Sequence, residues 1–160
     1  MIVLDASAAV TVLLNMDTAA SAILDRIADS DEGLHVPHLF EIEVLSALRR
    51  HATSGISEKR SAELLEDLTT MRITRYPHTA LLARIWELRN NITAYDATYV
   101  SLAETLNAPL VTMDARLARA TGIRATVELF QEERKETLRR RSLYRPPEPI
   151  PPEGATPGLL

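Results

Sequence analysis

The chain has 160 residues, no cysteine and a formal net charge of −4. That length fits one domain with room for an appendage. The lack of cysteine excludes disulfides, thiolate zinc sites, iron–sulfur ligation and cysteine nucleophiles. No apolar run approaches the roughly 18 residues that span a bilayer. The opening M-I-V-L-D-A-S lacks the basic region of a signal peptide, so a cytoplasmic protein with no membrane partner is expected. A pI near 5.6 argues against reliance on bulk positive charge for nucleic acid. It leaves open an enzyme that brings its own cations to a phosphate substrate.

In chain order, short apolar runs alternate with longer helical patterns. Ile2-Val3-Leu4 reads as a strand. Ala19 to Ala28 has helical period, with Ala20, Ile23, Leu24 and Ile27 on one face. Leu34-His35-Val36 is a second strand, stopped by Pro37. Phe40 to Leu48 puts Phe40, Val44, Leu45 and Leu48 together. Ser57 to Leu68 is a helix with Ser57 as its N-cap. Met71 to Tyr76 is a weaker strand, ended by Pro77. Thr79 to Leu88 is a helix expected to turn Leu81, Leu82, Ile85 and Trp86 inward. Tyr95 to Leu106 turns Val100, Ala103 and Leu106 inward. Leu110 to Met113 and Ala125 to Val127 are the last two strands. Strands alternating with helices predict an α/β three-layer sandwich: a mostly parallel sheet of about five strands with helices on both faces.

Residues 1 to 130 carry this core, with a net charge of −5. Residues 131 to 144 read as a charged, solvated helix. Six basic and three acidic residues fall between Gln131 and Arg145, a net of +3. Residues 145 to 160 hold six of the nine prolines and read as an extended tail.

The candidate chemistry lies in carboxylates. The common phosphate-loop, dinucleotide, serine-hydrolase and H-E-x-x-H signatures are absent. His35 and His38 are three apart but lack further zinc ligands. Asp5 ends the first strand, Asp114 ends the fourth, Asp96 opens a helix, and Glu43 sits early in the helix after Pro37. In a parallel sheet, strand C-termini and the following helix starts share one edge, where ligands bind. Each residue also has a plainer reading. Asp5 and Asp114 suit N-caps, Thr93 to Asp96 suits a capping box, and Glu43 suits a solvated helix face, with Glu41 as a competitor. Four carboxylates on one edge repel unless a cation lies between them. An oxygen-only set selects hard cations, Mg²⁺ or Mn²⁺. Arg116 stands nearest a candidate ligand and is the arginine expected to contact substrate phosphate. Tyr95 and Tyr99 flank Asp96, either lining the site or packing. Trp86 is expected in the core.

Four motifs occur in order: L-D-A-S, P-x-x-x-x-x-E-V-L-S-A-L-R-R, Y-D-A-T-Y-V-S-L-A-E and L-V-T-M-D-A-R-L-A. Together they resemble the PIN-domain ribonucleases, specifically the VapC toxins of bacterial toxin–antitoxin pairs, over Met1 to Phe130. The resemblance implies an acidic metal site carried by Asp5, Glu43, Asp96 and Asp114. In it, Asp5, Asp96 and Asp114 hold Mg²⁺ or Mn²⁺ directly or through water, and Glu43 completes the site or orients the attacking water. Ser7 and Thr112 match hydroxyl positions that support the ligands. RNA substrate, products with 5′-phosphate and 3′-hydroxyl ends, a homodimer and a cognate antitoxin are also implied. The helices after Leu14 and around Ser57 to Leu68 become the candidate dimer or antitoxin surfaces. The residues past Phe130 depart from the compact family pattern.

Two other readings of the same residues stay open. One is a non-catalytic interaction module whose acidic edge binds a partner's arginine. The other is a phosphotransfer or receiver-like domain. Against the latter, no D-x-D follows the first strand, and the only lysines are Lys59 and Lys135.

Overall fold

A computed structural model describes residues 1–15, 18–28, 32–52 and 55–131. Most of the expected charged helix over 131–144, and all of the tail over 145–160, lie outside the described residues.

Five strands form one sheet: β1 (Ile2–Leu4), β2 (Leu34–Pro37), β3 (Ile73–Tyr76), β4 (Leu110–Thr112) and β5 (Val127–Leu129). Their order is β3-β2-β1-β4-β5, and every pairing is parallel. Val3 aligns with His35 on one side and with Leu110 on the other. The chain moves outward from β1 to β2 to β3, then returns across β1 to add β4 and β5. Parallel crossovers are right-handed, so this reversal puts the two sets of connections on opposite faces. Helices α1 (Ala6–Leu14), α2 (Thr18–Ala28), α3 (Phe40–Ala52) and α4 (Glu58–Thr70) belong to the outward connections. A 3-10 turn over His78–Leu81, α5 (Leu82–Glu87) and α6 (Ala94–Leu106) belong to the return, and α7 (Ala115–Ala118) joins β4 to β5. The result is the expected three-layer sandwich.

The central strands explain why the fold is held there. All residues of β1 and β4 are buried, because helices cover both faces of a parallel sheet. The outer strands β3 and β5 are only partly covered. Each fully buried aliphatic side chain stabilises by about 1.5–3 kcal/mol, so β1 and β4 form the energetic centre. Ser57 caps α4 by accepting from the Arg60 amide at 3.2 Å, as its position predicts. Asn15 and Asn107 end α1 and α6 in the left-handed region, where asparagine is tolerated.

Several expectations change. Helix α1 fills the stretch after Asp5, a helix the N-cap reading of Asp5 implies but for which the sequence reading gave no bounds. Pro37 does not precede the end of β2 but is its last residue, where a missing N–H costs the ladder least. The last strand starts two residues later than expected, since Glu128, which interrupts its apolar pattern, is held by Arg26 of α2 at 2.8 and 3.1 Å. Trp86 is not in the core: it is 68% exposed, Leu82 is 54% exposed, and the Arg89 guanidinium lies 5.0 Å from the Trp86 ring centre. The inward stripe is Leu81, Ile85 and Leu88 instead. Leu24 and Leu45 also face outward. No single helix among the described residues is long and apolar enough to cross a membrane.

Truncating the centre of this core should be expensive. Leu110→Ala in β4 removes a fully buried side chain and is expected to destabilise by about 2–5 kcal/mol. Leu82→Ala, on the exposed side of α5, should change stability by no more than about 0.5 kcal/mol. Urea denaturation midpoints of the two variants test the assignment.

Candidate active site

The sheet reverses direction between β1 and β4, and open α/β sheets bind ligands at such a reversal, beyond the strand C-termini. Asp5 follows β1 and Asp114 follows β4, so the two chain exits flank this point. The Asp5 amide donates to the Val111 carbonyl at 3.0 Å, which fixes the exits side by side.

Asp5 is buried and stands at the N-cap position of α1, but its side chain makes no capping bond to the helix, so only its position fits the N-cap reading. Two hydroxyls hold it. Thr112 Oγ1 donates to Asp5 Oδ2 at 2.7 Å, and Ser7 Oγ donates to the same oxygen. Each hydroxyl also accepts from the backbone leaving β4: Ser7 from the Met113 amide and Thr112 from the Asp114 amide, both at 3.0 Å. Both hydroxyls therefore spend their proton on Asp5 and their lone pairs on the opposite strand exit. Burial pushes the Asp5 carboxyl above its ordinary range, the two hydroxyls pull it back, and the nearby Asp96 charge raises it further.

Asp96 enters from the first turn of α6. Thr93 Oγ1 donates to Asp96 Oδ2 at 2.8 Å and accepts from the Asp96 amide at 3.2 Å. The threonine caps the helix as expected, but the second half of a capping box is altered. The Asp96 carboxylate is steadied by the threonine hydroxyl rather than by the N-cap amide.

Glu43 reaches the same edge from α3. Phe40, Val44 and Leu48 mark the buried stripe of that helix, and Glu43 adjoins the stripe at i+3 from Phe40. Glu41 points elsewhere and pairs with Arg75 at the end of β3, so the competitor is removed. Glu43 is half-buried, and its Oε2 is fully enclosed without a hydrogen-bond partner. The Tyr99 hydroxyl, one turn after Asp96 on α6, is likewise enclosed and unpaired. It lies near enough to lower the Glu43 carboxyl somewhat, yet the two do not complete a well-formed bond. Burial dominates and raises Glu43, with Asp5 and Asp96 adding in the same direction. Burial and the Glu43 charge push the Tyr99 phenol up as well. Asp5, Glu43 and Asp96 thus sense one another electrostatically, and the buried Tyr99 hydroxyl adjoins Glu43. Packing and lining were both open for Tyr99: it packs in the core, with its hydroxyl beside Glu43.

Asp114 differs from the other three. It caps α7, accepting from the Arg116 amide at 2.7 Å, as the plain reading had it. Its second oxygen accepts from Arg116 Nη2 at 2.8 Å. The guanidinium holds the Asp114 carboxyl below its usual range. Arg116, 90% exposed, is thereby seated on a carboxylate and also senses Asp96. His35 shares a 2.9 Å hydrogen bond with the Tyr76 hydroxyl. Among the described residues, no three His, Asp or Glu side chains stand close enough together to enclose a metal ion.

The profile of the PIN domain family matches residues 2–123. Ribonuclease VapC9 of Mycobacterium tuberculosis is 48% identical over 121 residues, covering 74% of this chain and 89% of the relative. Ribonuclease VapC1 of the same organism is 42% identical over 131 residues, covering 81% and 97%. Among solved structures, the sarcin–ricin loop cleaving toxin VapC20 of M. tuberculosis superposes with a TM-score of 0.60 at 14% identity, covering 77% of this chain and 96% of that one. VapBC2 from Rickettsia felis, bound to a DNA fragment from its promoter, gives 0.57 at 19% identity, covering 81% and 99%. These two support the fold, while the family match and the closer relatives carry identity. The chain belongs to the PIN-domain family and, within it, to the VapC ribonucleases of toxin–antitoxin systems.

Proposed function

We propose that this protein is the toxin of such a pair, a cytoplasmic homodimer that cuts RNA internally with Mg²⁺ or Mn²⁺ and is restrained by a cognate antitoxin. The observation that carries the reading is Glu43 Oε2, enclosed without a well-formed hydrogen bond on a carboxyl that senses the Asp5 and Asp96 charges. A buried carboxylate oxygen without a donor beside two further carboxylates is a costly arrangement unless a cation completes it. The available donors are all oxygen, which fits a hard divalent ion. Asp5, Asp96 and Asp114 would hold it, with Asp114 exchanging its arginine for the ion.

The bound ion supplies an acidified water and neutralises charge on the phosphate. The protein's own part is positional. Ser7 and Thr112 fix the Asp5 carboxylate from behind, so that it cannot turn away from its neighbours. Thr93 does the same for Asp96. Glu43 Oε2 has the free lone pairs and the raised proton affinity to orient the attacking water and take up its proton. The buried Tyr99 adjoins Glu43 and helps keep bulk solvent from it. Arg116, released from Asp114, contacts a substrate phosphate.

An apolar groove of about 230 Å³ between α3 and α4, lined by Leu45, Leu48, Ile56, Leu64 and Leu65, suits the antitoxin. The groove supports the helix over Ser57 to Leu68, one of the two candidate dimer or antitoxin surfaces, as the antitoxin contact. The interaction-module alternative has one observation in its favour: Asp114 already accepts a guanidinium. Turnover separates the two readings.

Purified, antitoxin-free protein incubated with total RNA and Mn²⁺ should give discrete cuts with 5′-phosphate ends. EDTA should abolish them, and Asp96→Asn or Glu43→Gln should slow them by about 10²–10⁴-fold. Full activity in either folded variant would reject the assignment.

Removing the hydroxyls that hold Asp5 should act on ion binding before folding. Ser7→Ala or Thr112→Val is expected to weaken Mn²⁺ affinity by about 10–100-fold, read by calorimetric titration.

Glu43 also carries a pH signature. Its folded pKa is raised, so its contribution to stability is complete below the unfolded value. That contribution is lost as pH rises through the folded value. Without divalent ions, Glu43→Gln should therefore melt higher than the parent at pH 8. The advantage should vanish near pH 4, where the parent carboxyl is protonated. Added Mn²⁺ should raise the parent's Tm more than the variant's.

A further inference from the structure

Among the described residues, three side-chain atoms are enclosed and lack a hydrogen-bond partner: Glu43 Oε2, the Tyr99 hydroxyl and Ser101 Oγ. Two of the three adjoin. The Tyr99 hydroxyl acts on the Glu43 carboxyl, and Glu43 acts on the phenol in return. A phenol donates and a carboxylate accepts, so each is a natural partner for the other. Leaving both unpaired inside the protein is costly.

The pair comes from two separate helices. Glu43 lies in the first turn of α3, directly after β2. Tyr99 lies on α6, which packs on β1 and β2, and it is 1% exposed. A ring held in a close-packed core has little room to move, so its hydroxyl is a stiff point of attachment. Asp96 precedes it by three residues on the same face of α6. The helix therefore carries an acid of the site and, one turn on, a donor for a second acid.

The other three acids each have a support of their own. Ser7 and Thr112 hold Asp5, Thr93 holds Asp96, and Arg116 holds Asp114. Glutamate has more rotamer freedom to lose than aspartate, so Glu43 has the greater need of one. Among the described residues, Tyr99 is the side-chain donor that acts on its carboxyl. Burial and the Glu43 charge keep the phenol protonated, so it remains a donor.

We propose that Tyr99 is a positioning residue whose hydroxyl donates to the Glu43 carboxylate and fixes the direction in which that carboxylate meets the attacking water. It rests on the ribonuclease reading and deepens it, acting through Glu43 and not on the ion. A carboxylate offers about four lone-pair sites, so one bond from Tyr99 leaves capacity for the water.

The test is a double-mutant cycle on the full chain, with Tyr99→Phe, Glu43→Leu and their combination. Urea denaturation at neutral pH in EDTA reads the folding constant of each. Tyr99→Phe should lower that of the parent about tenfold and leave that of the Glu43→Leu background unchanged. In Mn²⁺, Tyr99→Phe alone should lower kcat for RNA cleavage by about tenfold or more. KM and the Mn²⁺ affinity read by calorimetry should stay within about twofold of the parent. Additive effects in the cycle overturn the proposal, because the hydroxyl then does no more than pack. Coupling with an unchanged kcat also overturns it, since the pair is then structural alone. Mn²⁺ affinity that falls together with kcat overturns it by assigning Tyr99 to the ion's ligands. A parent that cuts no RNA sinks the ribonuclease reading instead, and the cycle in EDTA still decides whether Tyr99 holds Glu43.

Discussion

A carboxylate buried at the point where a parallel sheet reverses is costly, and much of this molecule is arranged around Asp5. Ser7 and Thr112 hold it through one oxygen, and the same two hydroxyls receive the backbone amides that leave β4. The hydrogen bonds that steady the acid thus also align the two central strand exits. Asp5 is kept in place by the most buried part of the sheet, where β1 and β4 are covered on both faces. A site supported by the stiffest part of the core loses little entropy in holding its geometry.

The other acids approach from separate elements, each with its own local reason. Asp96 is brought by a capped helix start, Glu43 by its position beside the buried stripe of α3, and Asp114 by the N-cap of α7. Their electrostatic states diverge accordingly. Glu43 and Asp5 are pushed toward protonation by burial and by the Asp96 charge, whereas Asp114 is kept ionised by Arg116. An ion entering such a site would relieve the first two and compete with the arginine for the third.

Several features were legible because they are local. A short apolar run followed by aspartate marks a strand and its exit, and a serine before a helical period marks a cap. The motif spacings pointed to the family that the comparisons then established. Features that depend on which side of a helix meets the sheet were less legible. In α5, Leu82 and Trp86 are as apolar as Leu81 and Ile85, and the two pairs lie about 100° apart on the helix. Period alone does not choose between them. The 3-10 turn that precedes α5 changes the phase, and packing on α6 selects Leu81, Ile85 and Leu88. The exposed Leu45 follows the same rule, since Phe40, Val44 and Leu48 already fill the inward stripe of α3.

What the sequence by itself determined is the alternation of strands and helices, the four candidate acids and the family. These are carried by nearest-neighbour chemistry and fixed spacing along the chain. Only the tertiary structure decided which acids sense one another, that the buried Tyr99 hydroxyl adjoins Glu43, that Glu41 is drawn away to Arg75, and that Arg116 folds back onto Asp114. Those outcomes depend on which groups the fold brings together, such as Arg75 and Glu41, 34 positions apart. Burial and Coulomb interactions act through space, so spacing along the chain does not contain them.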